Sequence, residues 1–249
     1  MKASMAAIMA VALCISGTAS AKDHSPGVPR GAQVGLVNLL GGEIMHYHAA
    51  TDPQDSFVKV VPVDWPIADM LAQTVKGPLE QLGLVPTSLP PGEKLTRARE
   101  KCFVESAPVR ELSGACGAAL EETAAAGGVS YLIVLAPGLN NYDHAGRARN
   151  DSVPETLRGW GLRSRDNGAK DKPTAMNEVE IVFLDVHAGK ATVRARQWGG
   201  VYSSRLDNYT LPPDPRQLAE KDLEKLRSTY LAMLARQAQV MLEQVTVAP

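Results

Sequence analysis

The chain has 249 residues, of which 45% are hydrophobic, with 26 Lys and Arg set against 27 Asp and Glu. That length can bury a substantial core. A net charge of −1 provides no field to gather nucleic acid or anionic lipid, so both partner classes are excluded.

Lys2, the apolar run from Met5 to Ile15 and the small residues Thr18-Ala19-Ser20-Ala21 read as an export signal. The run falls short of the roughly 20 residues that span a bilayer. Ala19-x-Ala21 fits the small-residue cleavage rule, so residues 1–21 are expected to be removed. A lipoprotein signal is the competing reading, but Leu13 stands where a small residue should precede Cys14. The expected address is the periplasm, with onward secretion as the alternative. No later apolar segment approaches membrane-spanning length, so no transmembrane segment is expected after cleavage. Loss of Cys14 leaves Cys102 and Cys116, an even number in an oxidising compartment, and these are expected to pair. A redox role is disfavoured because catalytic dithiols sit two residues apart at a helix start.

Lys22 to about Ala32 is rich in Pro, Gly and charge and reads as a flexible leader. Residues 33–249 are expected to form one α/β domain. Val34 to Leu40 is a nearly continuous apolar run, suited to a strand covered on both faces. Gly41-Gly42 is expected to make a positive-φ turn, returning Glu43 to Ala50 antiparallel as a hairpin. Phe57 to Val63 is a further strand. A helix follows, capped by Asp64 or Trp65, with Ile67, Met70, Leu71, Thr74, Val75, Leu79 and Leu82 as its buried stripe and a bend at Gly77-Pro78.

Leu84 to Leu89 is short and apolar. Leu95 to Glu105 reads as a helix carrying Cys102, and Ser113 to Ala126 as another carrying Cys116, so the disulfide would tie two helices. Gly127-Gly128 suits a left-handed helix end. Val129 to Ala136 is the clearest strand, and Pro137-Gly138 ends it. Residues 139–174 read as a long polar loop with one strand near Thr156 to Arg163. Glu178 to Val186 and Ala191 to Trp198 form a hairpin. A long C-terminal helix opens at Asp214-Pro215-Arg216-Gln217 and runs to about Val245.

His46 and His48 lie two apart on a strand, so their rings share a face and can hold a divalent metal. A third ligand would come from Asp143, His144 or His187. The plainer reading puts both histidines on the exposed face of an edge hairpin, titrating near pH 6.5. The preferred ligand site is the loop after the best strand, because open α/β sheets bind ligands at strand carboxyl ends. It offers Asn140, Asn141, Arg147 and Arg149, with Arg158, Arg163 and Arg165 nearby. Asp143 beside His144 can orient an acid or base. The alternative is a solvated loop whose arginines pair with Asp151, Glu155 and Asp166. There is no phosphate loop, dinucleotide fingerprint or nucleophile elbow, and no cofactor is expected. Trp160, between Gly159 and Gly161, is either a partner-facing anchor or a buried strand residue.

The element order from Val34 to the C-terminal helix resembles CsgG-like and TolB amino-terminal domains. So does the strand, Asp, turn and Gly pattern of Val179 to Lys190. The chain also looks like other exported bacterial proteins. The resemblance implies an envelope setting and a three-layer α/β fold; it carries over no catalytic residue and no transport or pore-forming role.

The sequence therefore predicts an α/β (α+β) three-layer fold with a mixed sheet, hairpins, one disulfide and a long C-terminal helix. The expected function is a non-catalytic binding or envelope-assembly module that takes a protein partner or small ligand. A small hydrolase or metal-dependent enzyme using Asp143 and His144, with His46 and His48, is the alternative.

Overall fold

A computed structural model describes residues 27–106, 109–138, 140–141, 156–157, 159–166, 172–187, 190–199, 203–207, 209, 211–212 and 214–248. In chain order it runs β1 (Gln33–Asn38), β2 (Glu43–Ala49), β3 (Phe57–Pro62), α1 (Ile67–Gln81), β4 (Val85–Leu89), α2 (Glu93–Ala98), β5 (Phe103–Ser106), β6 (Val109–Leu112) and α3 (Gly114–Gly127). It continues with β7 (Tyr131–Pro137), β8 (Asn140–Asn141), β9 (Thr156–Leu157), β10 (Gly159–Arg165), β11 (Thr174–His187), β12 (Lys190–Trp198), β13 (Ser204–Arg205) and α4 (Glu220–Leu242). Among the described residues, no helix is long and apolar enough to cross a membrane.

The main sheet is mixed and ordered β3-β2-β10-β11-β7-β1-β4, with β12 and β13 also paired to β11. β1 lies between β4 and β7 and is parallel to both. β11 organises the rest, because its 14 residues exceed the usual five or six and let one strand serve two sets of neighbours. Its first part, Thr174 to Glu178, pairs with β10, and Val179 to Asp185 pairs with β7. Thus β7 and β10 run end to end beside β11, meeting at Val179 and Glu178. Gly138 donates its N–H to the Glu178 carbonyl at 2.9 Å and Gly159 stands opposite Glu178, so the excursion between them leaves and re-enters the sheet at one point.

Strict alternation sorts the strand side chains into two cores. Tyr131, Ile133 and Leu135 of β7, with Val179, Ile181 and Phe183 of β11, face α1 and α4. Leu132, Val134, Ala136, Val182 and Leu184 face α2 and α3. The predicted three-layer α+β fold and its mixed sheet are present. On the α1 and α4 side, Trp160 stacks on Tyr230 at 5.1 Å between ring centroids, and Trp65 packs against both rings. The Trp160 indole N–H donates to Asn177 Oδ1 at 2.9 Å, and the Tyr230 hydroxyl donates to the Gly161 carbonyl. Trp160 is therefore a core residue rather than a partner anchor.

Several boundaries differ from expectation, each for a tertiary reason. β1 and β2 do not form a hairpin, because both edges of β1 are already occupied; β2 instead pairs antiparallel with β3 and parallel with β10. Gly41 and Gly42 are not in the positive-φ region, whereas Gly128, at φ 63°, ends α3 as expected. Neither Asp64 nor Trp65 caps α1; Pro66 occupies that position without a side-chain bond.

The stretch expected as one helix over 95–105 is α2, a 3-10 turn at Arg99–Lys101 and then β5, which pairs with β6. The disulfide Cys102–Cys116, with Cα atoms 5.0 Å apart, consequently joins the entry of β5 to the first turn of α3. Ser113 caps α3 by accepting from the Cys116 N–H. Within 139–174, the strand expected near Thr156 to Arg163 is present as β9 and β10, and β10 is an inner strand of the sheet.

Asp214 does accept from the Arg216 N–H, and Gln217 Nε2 donates to its carboxylate, but this makes a turn rather than a helix start. That turn is held against β3: Lys59 Nζ donates to the Arg216 carbonyl at 2.7 Å and the Arg216 guanidinium sits over the Phe57 ring. Helix α4 begins six residues after Asp214, with the Asp222 carboxylate accepting the Ala219 N–H at 3.1 Å.

Candidate functional site

Among the described residues, polar chemistry gathers in a closed site and in an open one, besides the Asp185–His187–Arg194 cluster at the end of β11. The closed one begins with β2, whose alternation puts Ile44, His46 and His48 on the face toward α1 and α4. β10 runs parallel beside it with Leu162 opposite His46 and Ser164 opposite His48. His46 Nε2 lies 2.8 Å from Ser164 Oγ, Ser164 Oγ lies 2.9 Å from His48 Nδ1, and His48 Nε2 lies 2.9 Å from Asp166 Oδ1. A proton pattern that satisfies this chain has His48 Nε2–H donating to Asp166, His46 Nε2–H donating to Ser164, and the Ser164 hydroxyl shared between His48 Nδ1 and the Tyr47 carbonyl, 3.2 Å away. His46 Nδ1 is then left without a partner.

Phe57 covers both rings, edge-on to His46 and stacked on His48. Burial, the neighbouring His48 and then Lys59 across the strand pull His46 down from 6.5 to about 4. Acid, histidine and serine therefore stand in the order of a hydrolase relay. Ser164, however, is only 2% exposed, and a nucleophile must reach its substrate. The arrangement is a buried clasp between β2 and β10.

The expectation of exposed histidines on an edge strand is thus corrected, because β3 takes the edge and covers the pair. Nor does His187 join them. It lies at the far end of β11, twelve residues beyond Ala175, roughly 40 Å of strand. There it bonds to Asp185. Burial pushes the Asp185 carboxyl up, but hydrogen bonds from His187 and Arg194 outweigh it and hold the group below the usual range. Among the described residues, no group of three or more His, Cys, Asp or Glu can hold a metal ion.

The open site lies at the seam where β7 meets β10 and β1 runs out toward β2. A cleft of about 240 Å³ opens there, lined by Leu40, Gly41, Glu43, Met45, Val60, Arg99, Pro137, Gly159 and Trp160. It occupies the carboxyl ends of the adjacent parallel strands β1 and β7, the position at which open α/β sheets bind ligands. The apolar residues form its wall. Glu43, at the start of β2, and the half-buried Arg99, on the 3-10 turn after α2, supply the charge.

Both charged groups crowd Gly41: a Cβ there would meet Arg99 Nη1 at 3.3 Å and Glu43 Oε1 at 3.5 Å. Among the described residues, neither side chain makes a hydrogen bond or ion pair. A larger cleft of about 490 Å³, lined by α2 and α3, differs in that its Lys94 and Glu122 already pair with each other.

Of the predicted ligand residues, Asn140 and Asn141 form β8, paired with β9 immediately beyond β7. Arg147, Arg149, Asp143, His144 and Arg158 lie outside the described residues, as does the signal segment with Cys14. Arg163 and Arg165 are on β10. Sequence reasoning missed Ser164, Glu43 and Arg99, and gave Asp166 only as a partner for the loop arginines rather than for His48. Ser164-x-Asp166 has the same two-residue spacing as His46-x-His48, which is a signal, but nothing local reveals that the two strands are neighbours.

No protein-family model matches the chain, and no curated protein matches it. Among solved structures, it matches the hypothetical protein CT253 from Chlamydia trachomatis at 9% sequence identity and a TM-score of 0.31, over 85% of this chain and 95% of that one.

Proposed function

We infer that this chain is an exported binding module of the bacterial envelope that holds a small ligand, or a small group of a partner, in the cleft between β1, β2, β7 and β10. The observation that carries the reading is the cleft itself, which combines an apolar wall with two charges of opposite sign that have no partner among the described residues. Such a combination holds a ligand by its apolar body and orients it by a few polar groups. The amino-terminal signal sequence and the Cys102–Cys116 disulfide support an oxidising compartment. The envelope setting rests on the resemblance to CsgG-like and TolB amino-terminal domains.

Binding at the cleft is tested by titrating 3-methylbutan-1-ol, an uncharged branched probe, into isotopically labelled protein. Amide shifts are expected to concentrate at Gly41, Met45 and Gly159 and to vanish in Gly41→Leu. That substitution points a side chain between the flexible ends of Arg99 and Glu43, so it should fill the mouth without unfolding the protein. Shifts scattered elsewhere, or unchanged by Gly41→Leu, would refute the cleft. For export, the mass of protein recovered from the periplasmic fraction should correspond to a chain beginning at Lys22.

A further inference from the structure

We propose that the cleft recognises a zwitterion, an α-amino acid with a branched or unbranched aliphatic side chain; the proposal rests on the reading of the cleft as a binding site. Three observations combine. Arg99 Nη1 and Glu43 Oε1 lie 3.3 and 3.5 Å from one and the same point at Gly41, so the two tips are no farther apart than the sum of those distances. They do not pair with each other, and among the described residues neither has another partner. The same cleft carries an apolar wall that includes Leu40, Met45, Val60 and Pro137.

A guanidinium takes a carboxylate through two parallel N–H donors, and a carboxylate takes an ammonium. A molecule that offers both charges on one carbon satisfies both partners across this gap. A ligand with only an anion leaves Glu43 facing it, and one with only a cation leaves Arg99 facing it. At about 240 Å³ the cleft is below the roughly 300–1,000 Å³ of drug-sized sites, which suits a single amino acid.

The test compares L-leucine with 4-methylpentanoate, which lacks the amine, and 3-methylbutylamine, which lacks the carboxylate. Calorimetry is run on the disulfide-intact wild type, Arg99→Met and Glu43→Gln. Leucine is expected to bind at least ~10-fold tighter than either half-ligand, since each charge-assisted bond is worth about that factor or more. Arg99→Met should reduce leucine to the level of the amine, and Glu43→Gln to the level of the carboxylate. If leucine binds no tighter than 4-methylpentanoate, or is indifferent to both substitutions, the zwitterion proposal is overturned. Amide shifts with the uncharged probe would then still uphold the cleft. Should no probe, charged or uncharged, move the Gly41 and Gly159 amides, both readings fall. The ligand comparison on the wild type decides the matter even if a variant does not fold.

Discussion

Acid should weaken this fold through His46, and the size of the effect follows from its burial. His46 is 0% exposed and its pKa is lowered from 6.5 to about 4. The folded state therefore resists protonation more than the unfolded chain does. Stability from this group is complete above pH 6.5, declines as pH falls, and is fully lost below about pH 4. At about 1.4 kcal/mol for each tenfold loss of proton affinity, the whole effect is about 3 kcal/mol, of which about 2 kcal/mol is gone by pH 5. The surroundings explain why the added charge is unwelcome. Lys59 stands opposite on β3, His48 is the next ring on the same face, and Arg216 sits over the covering Phe57 ring; Asp166 bonds to His48 and the Thr51 N–H rather than to His46.

Urea unfolding of wild type and His46→Gln between pH 8 and pH 5 isolates the contribution, because glutamine can still donate to Ser164 but does not titrate. Wild type should lose about 2 kcal/mol more than the variant over that range. Parallel stability profiles for the two proteins would show that His46 titrates normally, and would refute the burial argument.

Reducing the Cys102–Cys116 bond should cost about 3 kcal/mol in the chain-entropy estimate for a loop of this size, read as a lower urea midpoint in dithiothreitol. An unchanged midpoint would mean that the hairpin of β5 and β6 already restrains the loop in the unfolded chain. Gln237→Met should destabilise by about 3 kcal/mol at nearly constant volume. It strands the Asn177 side-chain amide, which donates to Gln237 Oε1, and the Val179 and Gln197 carbonyls, which accept from Gln237 Nε2. A loss below about 1 kcal/mol in thermal unfolding would show that water takes over those bonds.

Local patterns determined a good deal of this protein. The apolar run of β7, the hairpin of β11 and β12, the stripe of α1 and the glycine end of α3 were all legible, because each depends on alternation, helical period or a single backbone preference. Cys102 and Cys116, an even pair once the segment read as a signal is set aside, also announced their disulfide. What tertiary structure decided was which strand lies beside which. Whether β2 folds back on β1 depends on whether the edges of β1 are free, and those edges were taken by β4 and β7. Likewise β11 is long enough to carry both β7 and β10, which placed the strand expected near Thr156 to Arg163 inside the sheet rather than at its edge.

Both polar sites follow from that pairing. His46 meets Ser164 across a parallel contact spanning 118 residues, so exposed-looking histidines became a buried clasp. Glu43 and Arg99 come together only where β1 and β7 end against β2 and β10. A period is written in neighbouring residues and can be read from them, whereas adjacency between distant strands is a property of the assembled sheet, set by competition for its free edges.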